Sequence, residues 1–157
     1  MKGAWVSHDG LYRYRLQRRW GSGGRMVFIL LNPSTADAKV DDRTTVRCIG
    51  YAKREGCGAM EIINLYALRA TKPIHLLDHP DPEGPENPMA WAQALFDTEP
   101  ALIVAGWGAQ AGSEDLPASK ALRGYASGPM MCLGTTKEGS PRHPLYLKAD
   151  QPLMEWA

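Results

Sequence analysis

Residues 26–31, MVFILL, carry six apolar side chains in a row, and Asn32-Pro33-Ser34-Thr35 follows with no spacer. A run apolar at odd and even positions alike reads as a strand buried on both faces. Strands of that kind belong to sheets with helices packed on either side, which strongly constrains the fold of this chain. Three more short runs repeat the theme, Met60-Glu61-Ile62-Ile63-Asn64-Leu65, Ala101 to Ala105, and Met130-Met131-Cys132-Leu133.

Helical segments separate the runs. Asp41-Asp42 reads as a helix start, with Val46, Ile49, Ala52 and Lys53 on following turns and Gly56 as a stop. NPMAWAQALFDT marks a helix near 86–97, and a further helical stretch covers about 116–126. Ahead of the first core run, LYRYRLQRR at 11–19 alternates apolar and basic residues as a half-exposed strand does, and Gly21-Ser22-Gly23-Gly24 reads as a flexible turn. DHPDPEGPENP lies in a Pro- and His-rich loop over 73–89. The expectation is an α/β fold, a three-layer α/β/α sandwich around a mainly parallel sheet of about four strands, with an N-terminal edge strand. The 157 residues are read as a single α/β domain.

A net charge of +1 argues against coating nucleic acid or membrane through bulk charge. Arg13, Arg15, Arg18, Arg19 and Arg25 crowd the N-terminal part and are a candidate local basic patch. No run approaches the roughly 18 apolar residues of a membrane span, and MKGAWVSHDG has no apolar signal-peptide core, so a cytoplasmic protein with no membrane partner is expected. Cys48, Cys57 and Cys132 read as reduced packing thiols, too few for a four-cysteine site. No cofactor and no metal are expected.

In parallel sheets, ligands bind beyond the carboxyl ends of the strands. Those ends carry Asn32-Pro33-Ser34, Asn64-Leu65-Tyr66, Gly106-Trp107-Gly108 and Gly134-Thr135-Thr136. Polar, glycine-rich and aromatic residues of this kind line small-ligand pockets. Each has a plainer reading as well: Asn-Pro starts turns, Asn64 can satisfy backbone groups, and Trp107 can be a core aromatic.

Four segments, in order, resemble the uracil-DNA glycosylase superfamily. LLNPS is similar to a first motif that reads G-Q-D-P-Y in the uracil-specific enzymes and G-I-N-P-G in the mismatch-specific ones. IINLYALR resembles the second-strand segment, LIVAGWGAQAG the third with its W-G-x-x-A-Q, and HPLYL at 143–147 the late H-P-S-P-L. From about residue 12 to 147 the chain also resembles a bacterial and phage family labelled domain of unknown function 1643, on LNPSTAD, DDRT with RCIGYAKREG, NLYALRAT and TKEGSPRHPLYL.

The glycosylase resemblance implies cleavage of a nucleobase N-glycosidic bond, in DNA or a nucleotide. Such a site needs donors aimed at the departing base, a group that positions water at the sugar, and room for an extruded base. By matching position, Asn32 would hold water, His143 would donate to the leaving base, and Asn64 would read its edge. Pro33, Ser34, Tyr66, Trp107 and Arg142 complete the expected binding residues. Asp42 is an acid/base candidate, because an amide cannot take the proton from water that a carboxylate takes. Asp37, Asp41 and Asp42 read equally as helix-capping acids, and Arg43, Arg47 and Arg142 as phosphate ligands or solvated charges. Ser34 and Leu145 depart from the pattern, where the uracil-specific enzymes have Tyr and Ser. The alternative to an enzyme is a module that binds a nucleobase, nucleotide or nucleic acid without cleaving it.

Overall fold

A computed structural model describes residues 1–109, 117–126 and 128–156. The strands are β1 (Lys2–Val6), β2 (Arg13–Arg19), β3 (Arg25–Leu30), β4 (Ala59–Asn64), β5 (Leu102–Ala105), β6 (Met131–Cys132) and β7 (Met154–Glu155). The helices are α1 (Arg43–Arg54), α2 (Asn87–Ala92) and α3 (Pro117–Arg123). All seven strands join one mixed sheet in the order β1-β2-β4-β3-β5-β6-β7. Its β4–β3, β3–β5 and β5–β6 pairings are parallel, and the flanking pairings are antiparallel.

The alternation along each strand divides the core between two faces. Met26, Phe28 and Leu30 of β3 join Met60 and Ile62 of β4 against α1, whose Cys48, Tyr51 and Ala52 are buried there. Val27 and Ile29 of β3 and Ile63 of β4 meet Trp91 of α2 and Leu122 of α3 on the other face. The α/β expectation holds, while the sheet is mixed and larger than expected, because the short terminal strands β1 and β7 add a row at each side. The segment expected as a half-exposed strand is β2, which lies between β1 and β4 and is largely buried.

Of the five N-terminal arginines only Arg19 is exposed, and the other four turn inward. Arg15 and Arg25 both pair with Glu61, which is fully buried in β4, and Arg18 pairs with Asp41 at 2.7 Å. Arg13 turns inward for a different reason. In the β1–β2 ladder, Trp5 lies opposite Arg15 and Val6 opposite Arg13, so Tyr14 is an extra, bulged residue. Tyr14 and Arg15 therefore both lean toward the α2 face, where Tyr14 joins the core and Arg15 donates to Gln93 Oε1 at 2.9 Å. The bulge inverts the alternation that follows and throws Arg13 onto the α1 face.

Two local details add to this. Val46 is exposed on α1, whose buried stripe is Thr45, Cys48, Tyr51 and Ala52. The exposed Gly21–Gly24 turn meets the chain just before β4: a Cβ on Gly58 would come within 2.3 Å of the Gly23 backbone nitrogen, so backbones cross there at a distance only glycine permits.

Chain order then creates a crevice. The connection through α1 carries the chain from β3 to β4 on one side, and the connection through α2 returns it past β3 to β5 on the other. The chain thus reverses direction across the sheet between the carboxyl ends of β3 and β5, where open α/β sheets bind ligands.

Candidate functional site

A pocket of about 420 Å³ opens at that reversal. Its walls include Asn32 and Ser34 after β3, Trp107 and Gly108 after β5, Thr136, Arg142 and His143 after β6, and Asp42, Thr44 and Thr45 at the start of α1. Leu30 and Ile62 supply apolar floor from the sheet. A second, adjoining groove runs along α1 past Arg43, Val46 and Arg47, and Asp42 and Leu145 border both.

Asn32 is half-buried and its amide nitrogen is fully used. It donates to the Pro33 carbonyl at 3.0 Å and to the Ala70 carbonyl at 2.7 Å, tying the end of β3 to the loop after β4. Its Oδ1 accepts no hydrogen bond from the described residues and is available to a water or a ligand donor.

His143 sits on a turn that packs directly onto the end of β5. A Cβ on Gly106 would lie 3.1 Å from Pro144 Cδ, so the lack of a side chain there lets the His143-Pro144 turn approach. The ring Nδ1 accepts the Leu145 backbone N–H at 3.1 Å. That bond assigns the proton of the neutral ring to Nε2. Burial pushes the imidazole down to about 4, with the Asp42 charge acting weakly in the other direction. At neutral pH His143 is therefore an uncharged Nε2–H donor.

Asp42 is the N-cap of α1. Its Oδ1 accepts the Thr45 N–H and the Thr45 hydroxyl, both at 2.8 Å, while Oδ2 has only a long contact of 3.4 Å with the Ala36 N–H. The cap explains the helix start, and Oδ2 keeps acceptor capacity on a residue that lines the pocket. Asp37 is turned onto the N–H groups of Lys39 and Val40, and Asp41 onto Arg18 and Lys2. No cluster of three His, Cys, Asp or Glu side chains able to hold a metal occurs among the described residues.

Trp107 lines the pocket and is otherwise buried, its ring in an edge-to-face contact with Trp156 at 5.0 Å. Arg142 is exposed at the rim. Gln110, Ala111 and Gly112, the end of the third resemblance segment, and the first residue of the helix expected near 116–126 lie outside the described residues.

Three expected residues do not line the pocket. Pro33 is buried, with its carbonyl held by Asn32 and by the Ala70 N–H at 3.1 Å. Tyr66 packs against the α2-side core on the opposite face of the sheet. Asn64 pairs in register with Leu30 and is fully buried, and both of its side-chain polar atoms lack partners. By the strand alternation, its side chain shares the face of Leu30 and Ile62, the pocket floor.

Sequence reading missed Arg13, which lines the pocket at 3 % exposure with Nη1 donating to the Ala36 carbonyl at 2.8 Å. It also missed Thr44, Thr45 and Thr71. The Asp42 cap could have pointed to the two threonines beside it. The bulge that redirects Arg13 leaves no mark in a pattern of alternating residues.

No helix of the described residues is long and apolar enough to cross a membrane. No curated protein and no solved structure gives a match to the chain. A family profile does match, over residues 13–145, and so spans both Arg13 and His143. The chain belongs to that family, described as Protein of unknown function (DUF1643).

Proposed function

We propose that this protein hydrolyses the N-glycosidic bond of a nucleobase-bearing substrate bound in the pocket at the ends of β3 and β5. The observation that carries the reading is the convergence of a free amide oxygen on Asn32, a neutral Nε2–H donor on His143 and a carboxylate on Asp42 around one cavity. Water held by Asn32 Oδ1 would attack the anomeric carbon as the C–N bond breaks and its electron pair leaves with the base. The Nε2–H of His143 would stabilise the charge developing on the base, without full proton transfer. Asp42 Oδ2 would favour the cationic sugar and accept the proton that water releases. Asn64, buried beside the floor with donor and acceptor unmatched, would read the base edge. The central β4-β3-β5-β6 order, with helices on both faces, supports a uracil-DNA glycosylase-like sandwich as the scaffold.

Product analysis on deaminated and modified bases, offered as nucleosides, nucleotides and DNA, tests the proposal. Release of free base by the wild type, lost in an Asn32→Ala, His143→Ala double variant, is expected. Equal base release from both proteins would sink it.

A second reading, a binding module without turnover, is favoured by Asn32 itself. Its nitrogen is committed to two carbonyls and its oxygen is a far weaker proton acceptor than a carboxylate. Saturable binding with no free base at stoichiometric enzyme would select this reading over hydrolysis.

A further inference from the structure

Four arginines of β2 and β3 turn into the protein, and three of them meet a carboxylate. Arg15 and Arg25 share Glu61, and Arg18 holds Asp41. Arg13 is as buried as Arg18 yet has no carboxylate oxygen within 4.0 Å among the described residues. Its Nη1 is bound to the Ala36 carbonyl, and its Nε is buried with no partner. Its Nη2 makes no hydrogen bond to the described residues and is not among the sealed, unpartnered atoms, so it is the edge of the guanidinium that meets the pocket. Asp42, on the same pocket, acts on Arg13 without a contacting ion pair, and a desolvated cation lacking a paired anion is unfavourable in a folded protein, an imbalance that an anionic ligand would remove.

A second feature points the same way. Thr44 and Thr45 line the same cavity at the start of α1, a helix of twelve residues. Asp42 satisfies the Thr45 N–H, whereas the N–H groups of Arg43 and Thr44 have no partner among the described residues. Unpaired amides at the positive end of a helix attract anions. The cavity thus holds a cation at Arg13 and an uncharged donor at His143, which packs beside Gly108, with the Asp42 charge acting on both.

We propose that the ligand is a mononucleotide, its phosphate seated against Arg13 and the first turn of α1 and its base toward His143 and Trp107. This rests on the nucleobase reading above. A terminal phosphate is chosen over a phosphodiester because Arg13 is enclosed, leaving little room for a strand to continue past it. Arg15, Arg18 and Arg25 are also spent on internal partners and add nothing to a basic track for nucleic acid.

Calorimetric titration of the full chain with deoxynucleosides, their 5′-monophosphates, inorganic phosphate and a short single-stranded oligonucleotide tests this, with Arg13→Met and Arg13→Lys beside the wild type. The wild type is expected to bind at least one monophosphate about thirtyfold tighter than its nucleoside, the scale of a charge-assisted contact. Arg13→Met should erase that ratio, and Arg13→Lys should keep part of it. Equal affinity for nucleoside and monophosphate in the wild type overturns the proposal even if no variant folds. So does a ratio that survives in Arg13→Met, or an oligonucleotide that binds tighter than any monophosphate. Failure of the nucleobase reading looks different: inorganic phosphate would bind in an Arg13-dependent way with no gain from any base, which overturns the mononucleotide and leaves only an anion site.

Discussion

His143 accepts the backbone N–H of Leu145 through Nδ1 at 3.1 Å, two residues along its own turn. The turn thus sets the tautomer of the ring, and burial sets its charge. Folding keeps this imidazole neutral down to about pH 4, whereas the unfolded chain takes up the proton near its ordinary 6.5. The stabilisation from keeping it neutral is whole above about pH 6.5 and is lost progressively as pH falls toward 4. The loss amounts to roughly 3 kcal/mol at most, less whatever solvent screening remains. Urea unfolding of wild type and His143→Gln across this range should show the stability difference narrowing or inverting as pH falls. Parallel pH profiles would show that the ring titrates normally.

Asn32 does not invite conversion to aspartate. Its amide nitrogen donates to the Pro33 and Ala70 carbonyls, and a carboxylate would face both with no hydrogen to give. Asn32→Asp is expected to destabilise the fold by about 2 kcal/mol or more, measured by chemical denaturation. Any gain in base strength would come with a loosened link between the β3 end and the loop at Ala70.

Asp42 separates capping from chemistry. Asn at this position can still accept the Thr45 N–H, whereas Ala cannot, so Asp42→Ala should cost about 1 kcal/mol of stability and Asp42→Asn much less. If the carboxylate assists hydrolysis, Asp42→Asn should lower turnover sharply while leaving the melting temperature close to wild type.

Glu61 holds Arg15 and Arg25 together inside the sheet. Removing one charge from a buried cluster leaves the others uncompensated, so Glu61→Ala should cost about 3–5 kcal/mol by equilibrium unfolding. Truncating it together with both arginines, as Glu61→Leu, Arg15→Leu, Arg25→Met, should recover part of the loss.

Cys48, Cys57 and Cys132 are free and buried, and burial raises all three thiols above their ordinary value. A thiol reagent at neutral pH should label the native protein slowly and label all three sites once denaturant unfolds it.

Much of the site was legible in the residues because strand ends advertise themselves: an apolar run that stops at Asn-Pro or at Gly-Trp-Gly marks where a sheet meets solvent. Asn32 and Trp107 were read that way, Asp42 from a helix start and His143 from the HPLYL resemblance, and all four line one pocket. Tyr66 was expected at the pocket because alternation carried past Asn64 would keep it there; β4 stops at Asn64, and Tyr66 packs against the α2-side core instead. Arg13 was invisible as a site residue because one bulged tyrosine in β2 reverses the side that an alternating pattern predicts.

What the sequence determined by itself was local: buried strands, helix starts such as Asp42, and polar strand ends, all governed by neighbours a few residues apart. Tertiary structure alone decided which ends converge, because the crossover past β3 sets the pocket between β3 and β5. It also decided which arginines found a carboxylate and which did not. Charge pairing in a core depends on residues far apart in the chain, as Arg18 with Asp41 and Arg25 with Glu61 illustrate, and Arg13 was left facing a cavity with no carboxylate of the described residues in contact.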